Sequence, residues 1–188
     1  MDPETHRDEA AVRAALAAAP PEPRDRGTLA VLVARPAPGE RTVLEAGALD
    51  AEVGLVGDTW AGRGSSRTAD GTSHPDMQLT LMSTRVLAAV ADPARWPLAG
   101  DQLLVDLDLS PANLPVGTRL EVGSAVVVVT DQPHTGCALF AARFGVDALR
   151  VIGTPEGRAQ RLRGINARVE VPGTLAPGDA VVVHRPPG

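Results

Sequence analysis

The stretch RLEVGSAVVVVTDQPHTGC, which runs from Arg119 to Cys137, decides the fold. Arg119–Val122 and the valine run Ala125–Val129 are separated by Gly123-Ser124, a two-residue connection that is typical of a β-hairpin. Pro133 fixes its own φ and has no N–H for a strand ladder, so we expect the second strand to end before it. The stretch therefore predicts two paired strands that lead directly into a loop carrying a thiol.

Cys137, the only cysteine of the chain, follows this hairpin. Thr135 is a good N-cap, which predicts a helix over Ala138–Phe144 that ends at Gly145 and has Cys137 at its second position. Unpaired backbone N–H groups at a helix start favour a thiolate over a thiol, and His134 lies close enough to add to this effect. The alternative is a small, buried and inert side chain, which is the more common fate of a lone cysteine.

Composition limits the classes of function. Hydrophobic residues make up 44% of the 188 residues and aromatic residues 2%, which predicts one domain with an aliphatic core. All 18 basic residues are arginines, so the chain has no lysine for a covalently bound pyridoxal phosphate or for a P-loop. A net charge of -5 argues against general binding to nucleic acid.

The sequence also indicates the location of the protein. It has no apolar run long enough to span a membrane and no apolar segment suited to a signal peptide. A single cysteine cannot form an internal disulfide, which is consistent with a reducing compartment. We therefore expect a cytoplasmic protein without membrane association.

The chain divides into two parts of unequal size. Residues 1–26 read as an N-terminal helix, with a capping box at Thr5–Asp8, and a proline-rich connector at Pro20–Pro23. Residues 27–188 contain many short strands separated by Gly and Pro turns, with helices concentrated late in the sequence. This pattern predicts a mainly β fold with helical insertions (α+β), arranged as a closed or nearly closed β-barrel.

Beyond the hairpin, the apolar periodicity predicts specific elements. Ser83 is expected to cap a helix that runs to Val90, and Thr154 to cap a helix that begins at Pro155. Val146–Ile152 also reads as helical. The expected strands are Leu29–Ala34, Thr42–Glu45, Gln78–Ser83, Asp101–Ser110, Ile165–Val171 and Ala180–Val183.

An ordered series of segments resembles the MOSC domain, the C-terminal domain of molybdenum cofactor sulfurases. The resemblance depends on the order and spacing of the segments around one cysteine, because no single segment is specific. The segments are Gly54–Asp58, Gln78–Ser83, Gly100-Asp101 with the strand after it, Leu114–Gly123, the Cys137 turn, Arg163–Val169 and Pro177–Asp179.

The resemblance implies a MOSC-type β-barrel in which Cys137 acts in one of two ways. In sulfurase-type members the cysteine is thought to carry sulfur as a persulfide. In reductase-type members it looks like a ligand to molybdenum that is held on a pterin dithiolene. Two departures concern the cofactor: His74-Pro75-Asp76 stands where many relatives have His-Gly-Gly, and Gly100-Asp101-Gln102 where others have Gly-Glu-Asn.

The resemblance and the residue chemistry together give a set of candidate site residues. Cys137 and His134 are the candidate catalytic pair, with His134 either a proton carrier or only a capping residue, and Cys137 is also the candidate molybdenum ligand. Arginines suit the phosphate of a pterin cofactor because their forks bind oxygens in pairs. The candidate cofactor contacts are Asp58, Thr135, Arg163, Asn166 and Arg168.

Several other residues have weaker claims on the site. Arg158 and Arg161 read more readily as a solvated helix face. His74 in the long loop Ala61–Pro75 and Asp76 directly after it are candidates for a lid, and Trp60 is a candidate cover for a flat pterin ring. A zinc site built from His134, Cys137 and His74 is a further alternative, although the spacing matches no closed zinc pattern.

We therefore expect a molybdenum-cofactor-linked enzyme that uses the Cys137 thiolate to reduce a small substrate or to transfer sulfur to it. The alternative is a carrier without turnover that delivers persulfide or cofactor to a partner protein. Either function implies a small-molecule substrate or cofactor and an electron-donor or sulfur-donor protein. The sequence predicts no nucleic-acid partner.

Overall fold

The computed structural model describes residues 6–187. Thr5, the predicted N-cap of the first helix, lies outside this range. Within it Asp8 is the N-cap, and its side chain accepts a hydrogen bond from the backbone N–H of Ala11 at 2.8 Å. The first helix therefore begins at Glu9 with an acidic cap, which suits the positive end of the helix dipole.

The described residues form five α-helices and eleven strands. The helices are α1 (Glu9–Ala18), α2 (Thr84–Val90), α3 (Ala138–Phe144), α4 (Val146–Gly153) and α5 (Pro155–Ala159). The longer strands are β1 (Arg26–Ala34), β5 (Leu79–Ser83), β6 (Leu103–Asp106), β7 (Arg119–Val122), β8 (Ala125–Val129), β9 (Ile165–Val171) and β11 (Ala180–His184). The short strands are β2 (Thr42–Leu44), β3 (Gly47–Asp50), β4 (Gly54–Leu55) and β10 (Gly173–Leu175).

The seven longer strands close into a barrel. Their order is β1-β6-β5-β9-β8-β7-β11, and β11 pairs with β1 to complete the circle, with Gly27 opposite Val181. The β5–β6 pair is parallel, while the other neighbours in the ring are antiparallel. The predicted α+β barrel is confirmed, and closure leaves these seven strands without a free edge.

The β7–β8 hairpin is confirmed in the predicted register. Val122 pairs with Ala125, so Gly123-Ser124 is a two-residue connection, and Gly123 has a φ of +60°. The side chains of β7 alternate between exposed and buried positions. The hairpin thus puts Leu120 and Val122 into the barrel.

The buried apolar residues form two clusters, one inside the barrel and one outside it, and the same strands contribute to both. Leu103 and Val105 point into the barrel, whereas Leu104 packs outside it against Phe140 and Phe144 of α3. Strand β6 is shorter than the predicted Asp101–Ser110 strand. Leu107 and Leu109 nevertheless stay in the barrel cluster, so the alternating pattern predicted burial correctly beyond the end of the strand.

Helix α1 joins the outer cluster. Val12 is fully buried among residues of α2, α3 and α4, and Leu16 packs against the same cluster. Arg85 of α2 donates a hydrogen bond to the Leu16 carbonyl at 2.6 Å. The division into residues 1–26 and 27–188 stays a prediction, but the helix shares its core with the rest of the chain.

A small second sheet was not predicted. Strand β3 pairs with both β10 and β4. Strands of two to four residues are too short to show a hydrophobic period, which is why the pattern missed them.

Gly164 brings β9 against β5 with unusual closeness. Its φ is +103°, and a Cβ at this position would lie 2.0 Å from the carbonyl oxygen of Leu81. Gly178 has a similar φ of +98° but has nothing within 4 Å of its Cβ position. A comparison of substitutions at the two glycines therefore distinguishes two losses of stability, one from the backbone conformation and one from the close approach.

We predict that Gly178→Ala lowers the free energy of unfolding by about 1–2 kcal/mol, because an L residue is strained at this φ. Gly164→Ala should lower it by about 1–3 kcal/mol more, since overpacking adds to the same strain. Urea denaturation of both variants measures the difference. Equal losses would show that the barrel relaxes around Gly164.

Candidate functional site

The loop from Thr130 to Cys137 positions the thiol. Thr130 is tied to β9 by a hydrogen bond from its backbone N–H to the Asn166 carbonyl at 3.1 Å. Further along, the Asn166 side chain donates to the Gln132 carbonyl at 3.2 Å. A Cβ on Gly136 would lie 2.4 Å from Leu149 Cδ1, so the loop runs directly against α4. The loop is therefore fixed at both of its ends.

The prediction that Thr135 caps α3 and that Cys137 is its second residue is wrong. Cys137 is itself the N-cap, with φ -131° and ψ 175°, and the helix begins at Ala138. The Cys137 carbonyl accepts hydrogen bonds from the backbone N–H groups of Phe140 at 3.0 Å and Ala141 at 3.1 Å. Contact with α4 keeps the chain extended through Gly136, which moves the helix start to the cysteine. The predicted span Ala138–Phe144 and its end at Gly145 are confirmed.

Cys137 is exposed, so the alternative of a buried thiol is wrong, and the reactivity of the thiol stays a prediction. It lines a cavity of about 270 Å³, which we call the thiol cavity. The walls come from the loop before α3, the end of β1, the residues before β6 and the long loop after β4. The polar side chains relevant below are those of His134, Asn166 and five arginines: Arg35, Arg41, Arg63, Arg143 and Arg163.

A buried carboxylate joins two of these residues beneath the cavity. Asp101 is fully buried; its Oδ1 lies 2.7 Å from His134 Nε2, and its Oδ2 accepts a hydrogen bond from Arg163 Nη1 at 2.7 Å. Arg163 also donates to the Ala99 carbonyl at 3.1 Å and lies over the Phe140 ring, 5.0 Å from its centroid. Asp101 thus orients the predicted proton carrier and a predicted cofactor contact together.

The electrostatics of this cluster fix the protonation states at neutral pH. Burial raises the pKa of Asp101, but the charges and hydrogen bonds of Arg163 and His134 outweigh it and lower the pKa from 3.8 to about 2. Burial, followed by the Arg163 charge, lowers the pKa of His134 below 6.5 against the opposing effect of Asp101. Asp101 is therefore ionised and His134 neutral. The Nε2 nitrogen of His134 carries the proton that points to Asp101, which leaves Nδ1 as an acceptor.

Asp58, a predicted cofactor contact, has a fully buried side chain that is occupied by other protein groups. Arg35 binds it through Nε and Nη2, both at 2.8 Å, and the backbone N–H groups of Arg35 and Trp60 donate to it at 2.9 Å. Burial raises the pKa of Asp58, but the hydrogen bonds and charge of Arg35 outweigh it and lower the pKa. In this structure Asp58 holds Arg35 at the cavity wall.

Three further arginines of the wall have no carboxylate partner among residues 6–187. They are Arg41, Arg63 and Arg143. Arg143 donates to the Leu98 carbonyl at 2.6 Å, and Arg41 donates to the carbonyl of Glu40. Burial lowers the pKa of Arg41, and the charges of Arg143, Arg35 and Arg63 lower it further. Burial followed by the Arg35 charge also lowers the pKa of Arg63.

Sequence reasoning missed these arginines because they are far apart along the chain. Arg41 lies between β1 and β2, Arg63 in the long loop after β4, and Arg143 in α3. The densest basic run of the sequence consists instead of Arg158, Arg161, Arg163 and Arg168. Of that run, Arg163 alone reaches the thiol cavity. Arg158 and Arg161 line a neighbouring cavity of about 470 Å³, which shares His134, Thr135 and Arg163 with the first.

The other candidate residues are placed as follows. Thr135 and Asn166 line the thiol cavity, and Asn166 Oδ1 is buried without a hydrogen-bond partner within the described chain. Arg168 is exposed outside the thiol cavity, with its Nε 3.6 Å from Asp76 Oδ1. Trp60 and His74 line the cavity from the long loop.

The zinc alternative gains no support. No group of three or more His, Cys, Asp or Glu residues that would hold a metal ion occurs between residues 6 and 187. His74, His134 and Cys137 line one cavity without converging into such a group. Over the same range, no helix has the length and apolar character needed to cross a bilayer.

The fold and the site define a barrel protein with one exposed cysteine at a cavity rich in arginine. A family model for the MOSC domain matches residues 70–182, and the chain therefore belongs to the MOSC domain family. This family is associated with molybdenum cofactor sulfurase-like or binding functions.

Solved structures of similar fold agree. The YuaD protein from Bacillus subtilis has a TM-score of 0.61 at 17% identity, over 86% of this chain and 97% of that one. YiiM from Escherichia coli has a TM-score of 0.56 at 19% identity, over 87% of this chain and 71% of that one. YiiM from Geobacillus stearothermophilus has a TM-score of 0.52 at 14% identity, over 85% and 75% of the two chains. No curated protein matches this chain.

We predict that stability falls when the pH drops below about 6.5, because the unfolded chain then takes up a proton that buried His134 refuses. A second fall should follow below 3.8, as Asp101 is protonated more readily in the unfolded chain, and it should reach roughly 2 kcal/mol near pH 2. Urea denaturation across this range measures both. His134→Gln should remove the first fall, whereas His184→Gln, at an exposed site, should retain it. A first fall that persists in His134→Gln would contradict the assignment.

Proposed function

We propose that this chain binds the molybdenum–pterin cofactor in the thiol cavity and uses Cys137 as the reactive group. The observation that carries the proposal is the excess of positive charge around the one thiol. Arg41, Arg63 and Arg143 have no carboxylate partner among the described residues, and no carboxylate lines the cavity. An anionic ligand is what such a wall accepts, and the pterin phosphate is anionic.

The donor set of the cavity fits such a cofactor. Arg41 Nε and Arg163 Nε are buried without hydrogen-bond partners within the described chain, and Asn166 Oδ1 is a buried acceptor in the same condition. Unsatisfied buried polar atoms are costly, so they favour a ligand that carries both acceptor oxygens and donor N–H groups. Arg41, Arg63 and Arg143 would hold the phosphate, and Asn166 would accept from the ring system. When bound, the cofactor would supply a redox-active metal centre for which Cys137 is the one available thiolate ligand.

The residues of the chain have separate tasks in this proposal. Cys137 is the ligand, or it holds sulfur as a persulfide, at the cavity mouth. His134 accepts a proton at Nδ1, because Asp101 fixes the other proton at Nε2. Arg35 and Arg163 have their charges balanced by Asp58 and Asp101, so they shape the wall more than they attract the anion. The reaction would be reduction of a small substrate, with electrons from a separate donor protein, or sulfur transfer to it.

One observation favours the carrier alternative. Cys137 is exposed, and the neighbouring Leu139 is 62% exposed at the mouth of the same cavity. An exposed thiol beside an exposed leucine is open to a second protein as well as to a small molecule. A carrier would receive sulfane sulfur or cofactor there and pass it on without turnover.

We predict that protein produced in cells that make the cofactor contains molybdenum and pterin in equal amounts, and that Cys137→Ser loses the metal. Because the thiol is exposed, Cys137→Ser should change the free energy of unfolding by less than about 1 kcal/mol. The double variant Arg41→Gln/Arg143→Gln should lose the pterin as well. Arg26→Gln, at an exposed arginine outside the cavity, is the matched control.

Metal analysis and cyanolysis of sulfane sulfur on the same samples separate the alternatives. Metal-free protein with sulfane sulfur on Cys137 would support the carrier. Wild-type protein that holds neither metal nor sulfane sulfur would overturn both functions.

A further inference from the structure

Four arginines of the wall line two cavities. Arg35, Arg41, Arg63 and Arg143 line the thiol cavity, and the same four line a second space of about 500 Å³, which we call the outer cavity. We call these four residues the arginine row. Leu139 is common to both cavities as well. The row therefore borders both cavities, and the thiol cavity is not the only space next to it.

The outer cavity is built from different segments than the thiol cavity. Its far walls are Ala37, Pro38 and Gly39 in the turn after β1, and Thr59 and Gly62 around the 3-10 turn at Trp60–Gly62. No carboxylate lines it, and its side chains other than the arginines are small or apolar. Such walls accept an uncharged organic group next to the anion site.

The space beyond the arginine row bears on where the ligand ends. Arg41, Arg63 and Arg143 have no ion pair with a carboxylate of the described chain, and each oxygen of a phosphate can accept more than one of their N–H groups. The number of donors therefore does not distinguish a terminal phosphate from a diphosphate. A longer ligand is favoured by the cavity of about 500 Å³ that adjoins the row and has small or apolar walls.

We propose that the ligand of this site continues beyond its phosphate: it is a diphosphate-linked molecule with a second organic group of nucleoside size in the outer cavity. The diphosphate lies along the arginine row, and the nucleoside packs between Pro38 and Leu139. The part that reaches Cys137 rests on the function proposed above. Together the two proposals describe a pterin cofactor in a form extended at its phosphate by a nucleotide.

The test compares ligands that differ only in the second group. Inorganic pyrophosphate and a panel of ADP, GDP and CDP are titrated into the full chain by calorimetry at one salt concentration. At least one nucleoside diphosphate should bind about tenfold more tightly than pyrophosphate or better, because only the nucleotides fill the outer cavity.

Gly62 allows the outer cavity to be blocked alone. It lines the outer cavity but not the thiol cavity, its φ is not in the left-handed region, and a Cβ there has nothing within 4 Å. Gly62→Leu should abolish the nucleoside gain and leave pyrophosphate affinity unchanged. Ala37→Leu fills the same cavity from the opposite wall and should do the same. Gly153→Leu is the matched control, because a Cβ at Gly153 is equally free and it lies outside both cavities.

The outcomes separate this inference from the function proposed above. Pyrophosphate binding with no nucleoside gain, or a gain that survives both Gly62→Leu and Ala37→Leu, would overturn the extended ligand and leave the phosphate site standing. Failure of pyrophosphate and all three nucleotides to bind would overturn the phosphate site itself, and with it both proposals.

Discussion

The buried carboxylate of Asp101 is the constraint on which the site depends. It lies just before β6, and it receives Arg163 from the segment before β9 and His134 from the loop after β8. These three segments adjoin strands that lie in the order β6-β5-β9-β8, so the pairing of the sheet brings them together. A buried charge that loses one of its partners costs about 3–5 kcal/mol, so the cluster ties the loop geometry to the folded state. The close approach of Gly164 to Leu81 belongs to the same constraint, since it brings Arg163 to the carboxylate. The site is thus a product of the barrel more than of the loop that carries the thiol.

The five arginines of the wall divide by their partners. Arg35 and Arg163 are matched by Asp58 and Asp101, and their hydrogen bonds to the carbonyls of Gly100 and Ala99 fix the segment before β6. The remaining three form no ion pair with a carboxylate of the described chain, and burial and the neighbouring arginines lower the pKa of Arg41 against the weaker opposing effect of Asp58. The net charge of the protein is -5, yet these cations lie together in one cleft, and their mutual repulsion lowers the stability of the folded state. An anion that binds in the cleft would relieve this repulsion.

The sequence predicted what depends on local chemistry. The β7–β8 hairpin, the caps at Ser83 and Thr154 and the helix end at Gly145 follow from neighbouring residues, and they are confirmed. The N-cap of α3 was misplaced by two residues because the close approach of Gly136 to Leu149 outweighs the capping preference of Thr135. Arg41, Arg63 and Arg143 were missed because no pattern links residues that only the barrel brings together. Asp101 had been noticed only as part of a motif, with no role assigned to it, although a carboxylate beside a strand start was the signal for a buried ion-pair centre.

The absence of lysine gives the site two distinct kinds of cation. Arginine remains charged even when burial lowers its pKa, so the row keeps its attraction for an anion at any pH at which the protein folds. His134 is the opposite: burial and Arg163 hold it neutral, and Asp101 directs its one proton away from Nδ1. A lysine in either position would mix the two tasks, because its pKa shifts readily on burial. Fixed charge for holding an anion and a neutral imidazole for accepting a proton are therefore kept apart, and Cys137 lies at the cavity that both of them line.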